Sequence, residues 1–409
     1  MFNTIRSLSK ECTKKGGVLK AEIGFRTIYV VTNPEDCLTV SNACIQKDLV
    51  YDFVKPFLGD GLFTGHGTWK THRKLLNPAF SQSKINNFIG VFNAQSRRLI
   101  DQMSEMTGRP FNHELLLRIN NLETICSKYY YLKTKTLGFR RFWLHNEFIF
   151  SFSDLKRNQD EIVEDLLKLT KTHLNLILNL TRKVQSFLDY ILELSEKTGC
   201  FTDDEIREET DTIIAAGHDS SANVLTCALI LLGSHLDMQE KVYEEIQNVI
   251  GDADRDVNKD DLSELIYTDA VLKETMRLYP ATPILARYVD RELKLRNCTL
   301  QPNNGIFILV WGLHRDPIWG PDAHEFKPER WLNADTLPDT NYFGGFGLGR
   351  RACIGKVHAM ISLKTTLVHV IRKFKVSSDI SKIILKFEFM SKVTDGDHLT
   401  ISPRNPAPL

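Results

Sequence analysis

The sequence predicts a mainly α-helical protein with a minor β portion. Apolar residues recur at helical spacing through much of the region from Asp60 to Phe201. The stretch from Thr202 to about Gly233 then forms a predicted helix of roughly 45 Å, at 1.5 Å per residue. Strand-like patterns are short and lie in residues 20–31 and 287–317. Because a helix of that length usually crosses a whole molecule, we expect the fold to be built around it.

Composition and charge are those of an ordinary globular protein. The 409 residues contain no repeat, low-complexity tract or linker-like stretch, which predicts a single domain over residues 1–409. The net charge is +1, so no overall field favours nucleic acid. The first residues are polar and no apolar run is long enough to cross a bilayer, which predicts a chain that is soluble or lies on a membrane surface.

The predicted elements follow in order along the chain. Residues 20–31 alternate and are rich in β-branched residues, which predicts an early strand or hairpin. Helical spacing is clear in residues 88–103 and 161–192. The long helix begins at the capping box Thr202-Asp-Asp-Glu205, whose acidic residues suit the positive end of the helix dipole.

Two shorter helices and a long irregular segment follow the long helix. A capping box at Asp237–Glu240 predicts a helix that stops at Gly251. Another helix is predicted over Asp269–Leu278, where the proline two residues later ends it. The segment Asp316–Arg351 is rich in proline and glycine, and it is longer than a packed domain normally tolerates without a function.

The cysteines predict neither a disulfide scaffold nor a zinc site. No two have CxxC spacing and no neighbouring histidine completes a zinc-ligand pattern. Eight cysteines in 409 residues are too sparse for a disulfide scaffold and are typical of buried thiols in a reducing compartment. They are Cys12, Cys37, Cys44, Cys126, Cys200, Cys227, Cys298 and Cys353.

The strongest functional signal is the segment 346–355, FGLGRRACIG. We predict that Cys353 opens the last helix after a glycine-rich turn, where the helix N-terminus and two arginines favour a thiolate. The glycines would let the backbone approach a flat ligand closely. A buried structural cysteine beside a tight turn is the alternative, since most lone cysteines are inert.

Two weaker signals involve charged residues. Glu274 and Arg277 are opposite charges three residues apart on a predicted helix. Such a pair is usually solvated and contributes only a few tenths of a kcal/mol. The tetrapeptide 328–331, PERW, is unremarkable in isolation.

Two other weak signals lie in helical segments. Residues 216–221, AGHDSS, put a glycine, an acid and two hydroxyls into the apolar long helix, where they are locally unfavourable. Such a departure often marks a site, and the alternative is a kink whose hydroxyls bond back to the i−4 carbonyls. Residues 69–73, WKTHR, are by themselves an ordinary basic surface turn with an anchoring tryptophan.

Taken together and in this order, these segments resemble the cytochrome P-450 family of haem-thiolate monooxygenases. The family's cysteine signature, FxxGxRxCxG, is matched at every fixed position from Phe346 to Gly355. Its other motifs appear as ExxR at Glu274–Arg277, PERW for PERF at Pro328–Trp331, WxxxR at Trp69–Arg73 and AGHDSS for (A/G)GxDT(T/S) at Ala216–Ser221.

The resemblance extends from about Glu22 to Pro403. The segment HRDP at His314–Pro317 is similar to the microsomal branch, especially its fatty-acid-hydroxylase-like insect members. The resemblance implies the cytochrome P-450 fold, with haem b between the long central helix and the cysteine loop.

Site roles follow from the resemblance residue by residue. Cys353 would be the axial thiolate on the haem iron, which favours O–O cleavage. Phe346 and Gly347 would belong to the loop that contacts the haem. The residues that would bind the haem propionates, for which a guanidinium is well suited, are Trp69, Arg73, Arg287 and Arg351.

The remaining motif residues would support this centre. Glu274, Arg277 and Arg330 would form a buried charge network that locks the cysteine loop to the core. Asp219 and Ser220 would lie over the distal face of the haem and deliver protons during oxygen activation.

The sequence also departs from the family pattern. Ser220 replaces the usual threonine, so control of water near the oxygen would loosen. Ala216 stands where many fatty-acid hydroxylases carry a glutamate that esterifies haem, so we expect no covalent haem link. Against the family pattern we expect this chain to lack the N-terminal anchor and proline-rich hinge and to be shortened near residues 127–141.

The resemblance implies a monooxygenase that inserts one atom of O2 into a lipophilic substrate: a fatty acid, a steroid or terpenoid, or a xenobiotic. Electrons would come from NADPH through a reductase, with cytochrome b5 as a further partner, at the cytosolic face of the endoplasmic reticulum membrane. The shortened middle region motivates an alternative, a degraded family member that binds haem without turnover. Coupled NADPH consumption would reject that alternative.

Charge placement predicts where an electron donor would dock. Basic residues near the cysteine and on the tryptophan segment would form a basic patch that attracts an acidic partner. The alternative is an ordinary solvated face. The residues of the basic patch are Lys70, Lys74, Arg350, Lys356, Arg372 and Lys373.

Overall fold

The computed structural model describes residues 2–24, 26–127, 185–388, 390–396 and 398–404. The helices in these ranges are α1 (Phe2–Lys14), α2 (Pro34–Ala43), α3 (Lys55–Leu58), α4 (Trp69–Leu76), α5 (Gln82–Asn86), α6 (Ile89–Ser104), α7 (Glu114–Ser127), α8 (Phe187–Thr198), α9 (Asp203–Ser234), α10 (Leu236–Ile250), α11 (Lys259–Glu264), α12 (Ile266–Leu278), α13 (Val310–Leu313) and α14 (Lys356–Lys373). The strands are β1 (Val18–Ile23), β2 (Arg26–Val31), β3 (Phe111–Asn112), β4 (Ile284–Val289), β5 (Leu293–Lys294), β6 (Thr299–Leu300), β7 (Asn304–Leu309), β8 (Phe374–Ser377), β9 (Ile384–Phe387), β10 (Ser391–Asp395) and β11 (His398–Pro403). The mainly α architecture with a minor β portion is confirmed.

The largest sheet in the described residues has the strand order β1-β2-β7-β4. The early hairpin predicted over residues 20–31 is confirmed, because β1 pairs antiparallel with β2 and places Val18 opposite Val31. Strand β2 continues parallel to β7, and β7 pairs antiparallel with β4, where Arg287 lies opposite Ile306. This sheet therefore brings the N-terminal part of the chain beside the segment that follows α12.

Helix α9 is the central helix of the described structure, and its predicted start is confirmed. Thr202 Oγ1 accepts a hydrogen bond from the Glu205 backbone N–H at 3.2 Å, while the Glu205 carboxylate accepts from the Thr202 N–H at 2.8 Å. Among the described residues, α9 alone is long and apolar enough to cross a membrane. Since 67% of its most apolar stretch is buried inside the domain, we interpret it as a core helix.

The predicted starts of α10 and α12 are wrong. Helix α10 begins at Leu236 and not at a capping box over Asp237–Glu240. The reason is that His235 is both the C-cap of α9 and the N-cap of α10. That leaves no extended residue whose side chain could cap the new helix. Helix α12 begins three residues before Asp269, whose carboxylate is already bound by lysines of α12 and α14 at 2.6 and 2.9 Å.

The other element predictions have mixed outcomes. Helix α6 confirms the stretch 88–103, and the irregular segment Asp316–Arg351 contains only short 3₁₀ helices in this fully described part of the chain. Helix α14 begins at Lys356 with Gly355 as its N-cap, so Cys353 precedes the helix. Most of the predicted helical stretch 161–192 lies outside the described residues, and so does nearly all of the region 127–141 that the sequence predicted to be shortened.

Candidate functional site

Glu274 and Arg277 form a completely buried ion pair on α12. The guanidinium donates to both carboxylate oxygens, with Nη2 2.7 Å from Oε1 and Nε 2.8 Å from Oε2. Both side chains are 0% exposed. Arg277 Nη1 also donates to the backbone carbonyls of His314 and Ala323, at 2.7 and 2.6 Å. The pair is therefore part of the core and not a solvated surface pair.

Residues of the 3₁₀ helix Pro328–Trp331 complete this charge network. Arg330 lies with its Nε 3.4 Å from the Glu274 carboxylate and its Nη1 2.8 Å from Asp322. Trp331 donates from its indole N–H to Glu274 at 2.9 Å. Hydrogen bonds from Lys327 and Arg330 lower the pKa of Asp322 to about 2. Sequence reasoning did not predict that Asp322 and Trp331 belong to this network. Trp331 could have been found from its position in the PERW motif, whereas no sequence pattern marks Asp322.

The cysteine loop depends on glycine geometry at two positions. Gly347 has a φ of +75° and Gly349 a φ of +60°, which side-chain-bearing residues rarely adopt. A Cβ at Gly349 would also lie 2.7 Å from the backbone of Ser41 in α2. The turn brings the Cys353 N–H within 2.7 Å of the Phe346 carbonyl. A hydrogen bond between its two ends therefore closes the loop, and the loop packs against α2.

Cys353 lies between the 3₁₀ helix Gly349–Arg351 and α14. Burial raises the pKa of its thiol, whereas the Gly355 backbone and the charges of Arg73 and Lys356 lower it, so the expected preference for a thiolate stays a prediction. The side chain is nevertheless accessible to solvent. A thiol is deprotonated when it binds a metal ion.

Arg351 is anchored to the N-terminal half of the chain. Its guanidinium donates to the carbonyls of Ile45, Leu62 and Gly65 at 3.0, 3.2 and 2.5 Å. It also lies 4.2 Å from the centre of the Trp69 ring. The WxxxR helix α4 and the cysteine loop are therefore in contact.

A cationic cluster surrounds this contact, and it contains a residue that sequence reasoning missed, Lys47. Lys47 is 7% exposed, and its ammonium lies 4.3 and 4.4 Å from the ring centres of Tyr51 and Phe63. Its backbone pairs with that of Arg287, which is 1% exposed and whose Nε has no hydrogen-bond partner among the described residues. No local pattern marks Lys47, because this pairing of distant segments creates its environment.

The cluster is short of negative charge. Burial, together with the neighbouring cations, lowers the pKa of Lys47 and that of Arg351, the latter to about 9. Burial also lowers the pKa of Arg287 and of Arg73, which donates to the Ala352 carbonyl at 2.7 Å. Among the described residues, no carboxylate pairs with these four cations. Buried cations without a counter-charge are costly, so the cluster is suited to an anionic ligand.

The polar segment of α9 has a different arrangement. Helix α9 continues through this segment, and the Ser220 hydroxyl donates to the Ala216 carbonyl at 2.8 Å. This is the i−4 hydrogen bond that was expected if the segment has only a structural role. Asp219 lies 2.8 Å from the guanidinium of Arg118 on α7 and 3.3 Å from His218. Burial raises the pKa of Asp219, but the charges of His218 and Arg118 outweigh it and keep the pKa below the ordinary value.

Helix α4 is not a basic surface turn. Trp69 and His72 are 7% and 5% exposed. His72 binds Glu209 of α9 through Nδ1 at 2.8 Å, and the same carboxylate accepts the Leu62 N–H at 2.9 Å. The side chains of Lys70 and Lys74 point away from this packed face and are exposed.

The basic patch is only partly available to a partner. Arg372 is 13% exposed, and it donates to the Arg255 carbonyl at 3.0 Å and lies 3.5 Å from Asp254. The exposed members of the patch are Lys70, Lys74, Arg350, Lys356 and Lys373.

The structure contains the long central helix and the glycine-shaped cysteine loop that the resemblance to haem-thiolate proteins predicted. The same fold is found in a crystal structure of a cytochrome P450, CYP102L1, with a TM-score of 0.81 over 98% of this chain and 94% of that chain, at 21% identity. The family model "Cytochrome P450" matches residues 2–138 and 139–398. The chain belongs to the cytochrome P450 family.

Curated relatives come from mammals and insects. Cytochrome P450 4V2 of Mus musculus is 30% identical over 393 residues, which are 86% of this chain and 75% of the relative. Probable cytochrome P450 4d21 of Drosophila melanogaster is 27% identical over 413 residues, 89% of this chain and 81% of the relative. The family predicted from the motifs is therefore confirmed, and the chain is an oxidoreductase of the monooxygenase class.

Haem with a thiolate ligand is the cofactor that family membership implies, and the described residues fit it. Cys353 is accessible beside Arg351, which provides a ligand for iron and a cation for a propionate on one loop. The unpartnered Nε of Arg287 and the ammonium of Lys47 have no carboxylate partner among the described residues, which suits the negative charge of the propionates. No group of three or more His, Cys, Asp or Glu that could hold a metal ion occurs among the described residues.

Proposed function

We propose that this protein inserts one atom of O2 into a C–H bond of a lipophilic substrate, a fatty acid, a steroid or terpenoid, or a xenobiotic. The other oxygen atom leaves as water, with two electrons from NADPH through a reductase and two protons. The observation that carries the proposal is the position of Cys353 on a loop whose neighbouring Arg351 belongs to a partly buried cationic cluster without a carboxylate. The proposed iron ligand, Cys353, and the proposed propionate site, the cationic cluster, are therefore held next to each other.

The residues that would hold haem have distinct tasks. Cys353 would bind the iron, while Phe346, whose carbonyl accepts the Cys353 N–H, and Gly347 belong to the part of the loop that would contact the haem. The propionates would be bound by the indole N–H of the tryptophan on α4 and by the cationic cluster, which comprises Lys47, Arg73, Arg287 and Arg351. Bound haem would supply the activation of dioxygen. Because Ala216 has no carboxylate, we propose that the haem is held without a covalent bond.

Asp219 and Ser220 are the residues we propose for proton delivery. The Ser220 hydroxyl donates its hydrogen bond to the Ala216 carbonyl, so the hydroxyl oxygen can still accept a hydrogen bond from a donor such as water. Asp219 remains ionised beside Arg118 and His218, and it can therefore accept a proton from solvent and pass it on. The lost methyl of Ser220 leaves more room for water than a threonine would.

The charge of the basic patch and the family resemblance suggest an electron-donor partner and a cellular location. We propose that the exposed members of the basic patch dock the NADPH-dependent reductase, with cytochrome b5 as a further donor. The site of action is the cytosolic face of the endoplasmic reticulum membrane, where lipophilic substrates and the reductase are both available. No feature of the described residues favours a nucleic-acid partner.

A turnover experiment with isotopically labelled dioxygen tests the proposal. Haem-loaded protein, reductase and NADPH are incubated with a panel of fatty acids, steroids, terpenoids and xenobiotics. We expect a product that carries one labelled oxygen atom, with NADPH consumption that depends on the substrate. The Cys353→Ser variant is the matched control and should give no product. Haem binding without labelled product from any substrate class would favour the non-catalytic alternative.

A further inference from the structure

His314 lies between the charge network of α12 and the cysteine loop. Its side chain is 0% exposed. Its Nδ1 lies 2.9 Å from the Arg277 carbonyl oxygen, and its Nε2 lies 2.8 Å from the backbone N–H of Gly344. A carbonyl only accepts and an amide N–H only donates, so Nδ1 carries the proton and Nε2 is an acceptor. The two partners thus define one tautomer of a neutral ring.

The imidazole ring is also held by its faces. It stacks on Phe343 with ring centres 5.4 Å apart and an interplanar angle of 16°. Phe343 in turn contacts Trp331 edge to face at 4.9 Å, and Trp331 donates to Glu274. His314 is therefore connected to Glu274 by two routes, one through Arg277 and one through these two aromatic rings.

Backbone hydrogen bonds continue from His314 into the cysteine loop. Gly344, whose N–H His314 accepts, uses its own carbonyl to accept the Gly347 N–H at 2.9 Å. Phe346 then accepts the Cys353 N–H at 2.7 Å. An unbroken series of short contacts thus leads from the ring of His314 to the backbone of the iron ligand.

The neutral ring is enforced by its surroundings. Burial and the nearby charge of Arg277 lower the pKa of His314 to about 3, and Arg315 acts in the same direction. A second ring proton would also point at the Gly344 N–H and break the contact with the loop. A buried histidine with satisfied nitrogens often has only a packing role. Here, however, one of its two partners belongs to the loop that carries the metal ligand.

We propose that His314 is a positioning residue for the cysteine ligand. By accepting the Gly344 N–H, it fixes the start of the loop on the Glu274–Arg277 pair, and so keeps Cys353 where its sulfur binds iron as a thiolate. This inference rests on the proposed haem-thiolate function. It assigns to the histidine of the HRDP segment a task that the motif resemblance did not give it.

Two variants separate the acceptor from the ring. His314→Phe keeps an aromatic ring to stack on Phe343 but has no acceptor, whereas His314→Gln places an amide oxygen near the position of Nε2. The readout is the Soret band of the reduced, carbon monoxide-bound holoprotein, followed over time in mild urea. Global unfolding is followed in parallel by far-ultraviolet circular dichroism. His324→Phe, at an exposed histidine in the same irregular segment, is the matched control.

We expect His314→Phe to lose the thiolate-type band about tenfold faster than wild type and before global unfolding, an effect of the size that one unsatisfied buried N–H produces. His314→Gln and His324→Phe should remain within about threefold of wild type, since both retain an acceptor for that N–H. Equal rates for His314→Phe and wild type would overturn the proposal. So would a rate for His314→Gln as fast as that for His314→Phe, or thiolate loss that only accompanies global unfolding.

If His314→Phe yields no soluble holoprotein, His314→Gln is compared with His314→Asn. The shorter amide reaches the position of Nδ1 and leaves Gly344 without an acceptor. The proposal then requires the glutamine variant to keep the thiolate-type band longer, and equal loss in the two variants would overturn it. A wild-type protein that never shows this band would contradict the proposed function itself, and this inference would fall with it.

Discussion

Nδ1 of His72 lies 2.8 Å from a carboxylate oxygen of Glu209, and both side chains are buried. His72 stands on α4 between Trp69 and Arg73, whereas Glu209 stands on the central helix α9. The pair therefore fastens the segment that carries two proposed propionate ligands to the core of the domain. A carboxylate as deeply buried as Glu209 needs such a partner.

Stability should fall as pH rises through the pKa of His72. The hydrogen bond from His72 to Glu209 raises the pKa of this histidine above 6.5, and the charge of Glu205 adds to the effect. The stabilisation is fully present below the unfolded pKa and is lost as pH rises through the higher folded pKa. The free energy of unfolding of the holoprotein, measured in urea between pH 6 and pH 9, should therefore decline across that window.

The variant His72→Gln keeps a donor for Glu209 but does not titrate, so this decline should become shallower. His398→Gln, which removes an exposed histidine, is the matched control and should behave as wild type. An unchanged pH dependence in His72→Gln would show that the His72–Glu209 pair does not contribute to the stability of the holoprotein.

Loss of Glu274 should prevent accumulation of folded protein. Glu274→Ala leaves Arg277 buried without a carboxylate and leaves Arg330 with Asp322 alone, and breaking a buried pair in this way typically costs about 3–5 kcal/mol. A domain is held together by only about 5–15 kcal/mol. We expect little soluble holoprotein, measured as soluble yield and haem content. Glu264→Ala, at an exposed acid on α11, should express as the parent does. A soluble and active Glu274→Ala variant would contradict the structural role of the network.

Lys47 should affect the apoprotein and the holoprotein in opposite directions. Lys47→Met removes a buried cation that has no carboxylate partner, so the free energy of unfolding of the apoprotein should rise. The same change removes a proposed propionate ligand, and haem transfer to an acceptor apoprotein should become about tenfold faster, as for one charged hydrogen bond. Lys70→Met is the exposed control. Unchanged haem release would exclude Lys47 from the propionate site.

The basic patch should control electron transfer without touching the haem. Replacing Lys70 and Lys356 with glutamate should weaken coupling to the reductase, most strongly at low salt because surface charges are screened at high salt. The absorption spectrum should stay unchanged. Lys382→Glu, at a side chain that is 74% exposed and distant in sequence from the cysteine loop, is the matched control. Equal coupling of the double variant and this control at all salt concentrations would remove the docking proposal.

Local rules were sufficient where one segment determines its own structure. The capping box at Thr202 and the alternation of residues 20–31 are local signals, and both elements occur as predicted. The start of α10 was mispredicted because His235 serves two helices at once, which no local pattern announces. The start of the last helix failed similarly, since the turn containing Cys353 continues to Gly355.

Long-range packing explains what the sequence could not reveal about the candidate site. The motif resemblance located Cys353, Arg351 and the Glu274–Arg277 pair, because these residues are marked by spacing. It could not locate Lys47, whose neighbourhood depends on a backbone pairing across 240 residues with Arg287. The local helix dipole predicted a thiolate at Cys353, and burial of this side chain, which no local pattern announces, acts against it by raising the pKa of the thiol.

The reduced, carbon monoxide-bound spectrum of the purified holoprotein tests the central claim most directly. If Cys353 is the axial ligand, wild type should show the far-red-shifted Soret band of thiolate-ligated haem. Cys353→Ser should remain folded and bind some haem through the cationic cluster, but it should lack that band, because a hydroxyl stays protonated and binds iron poorly. A wild-type band at the position typical of histidine-ligated haem, or a thiolate-type band that persists in Cys353→Ser, would contradict the account.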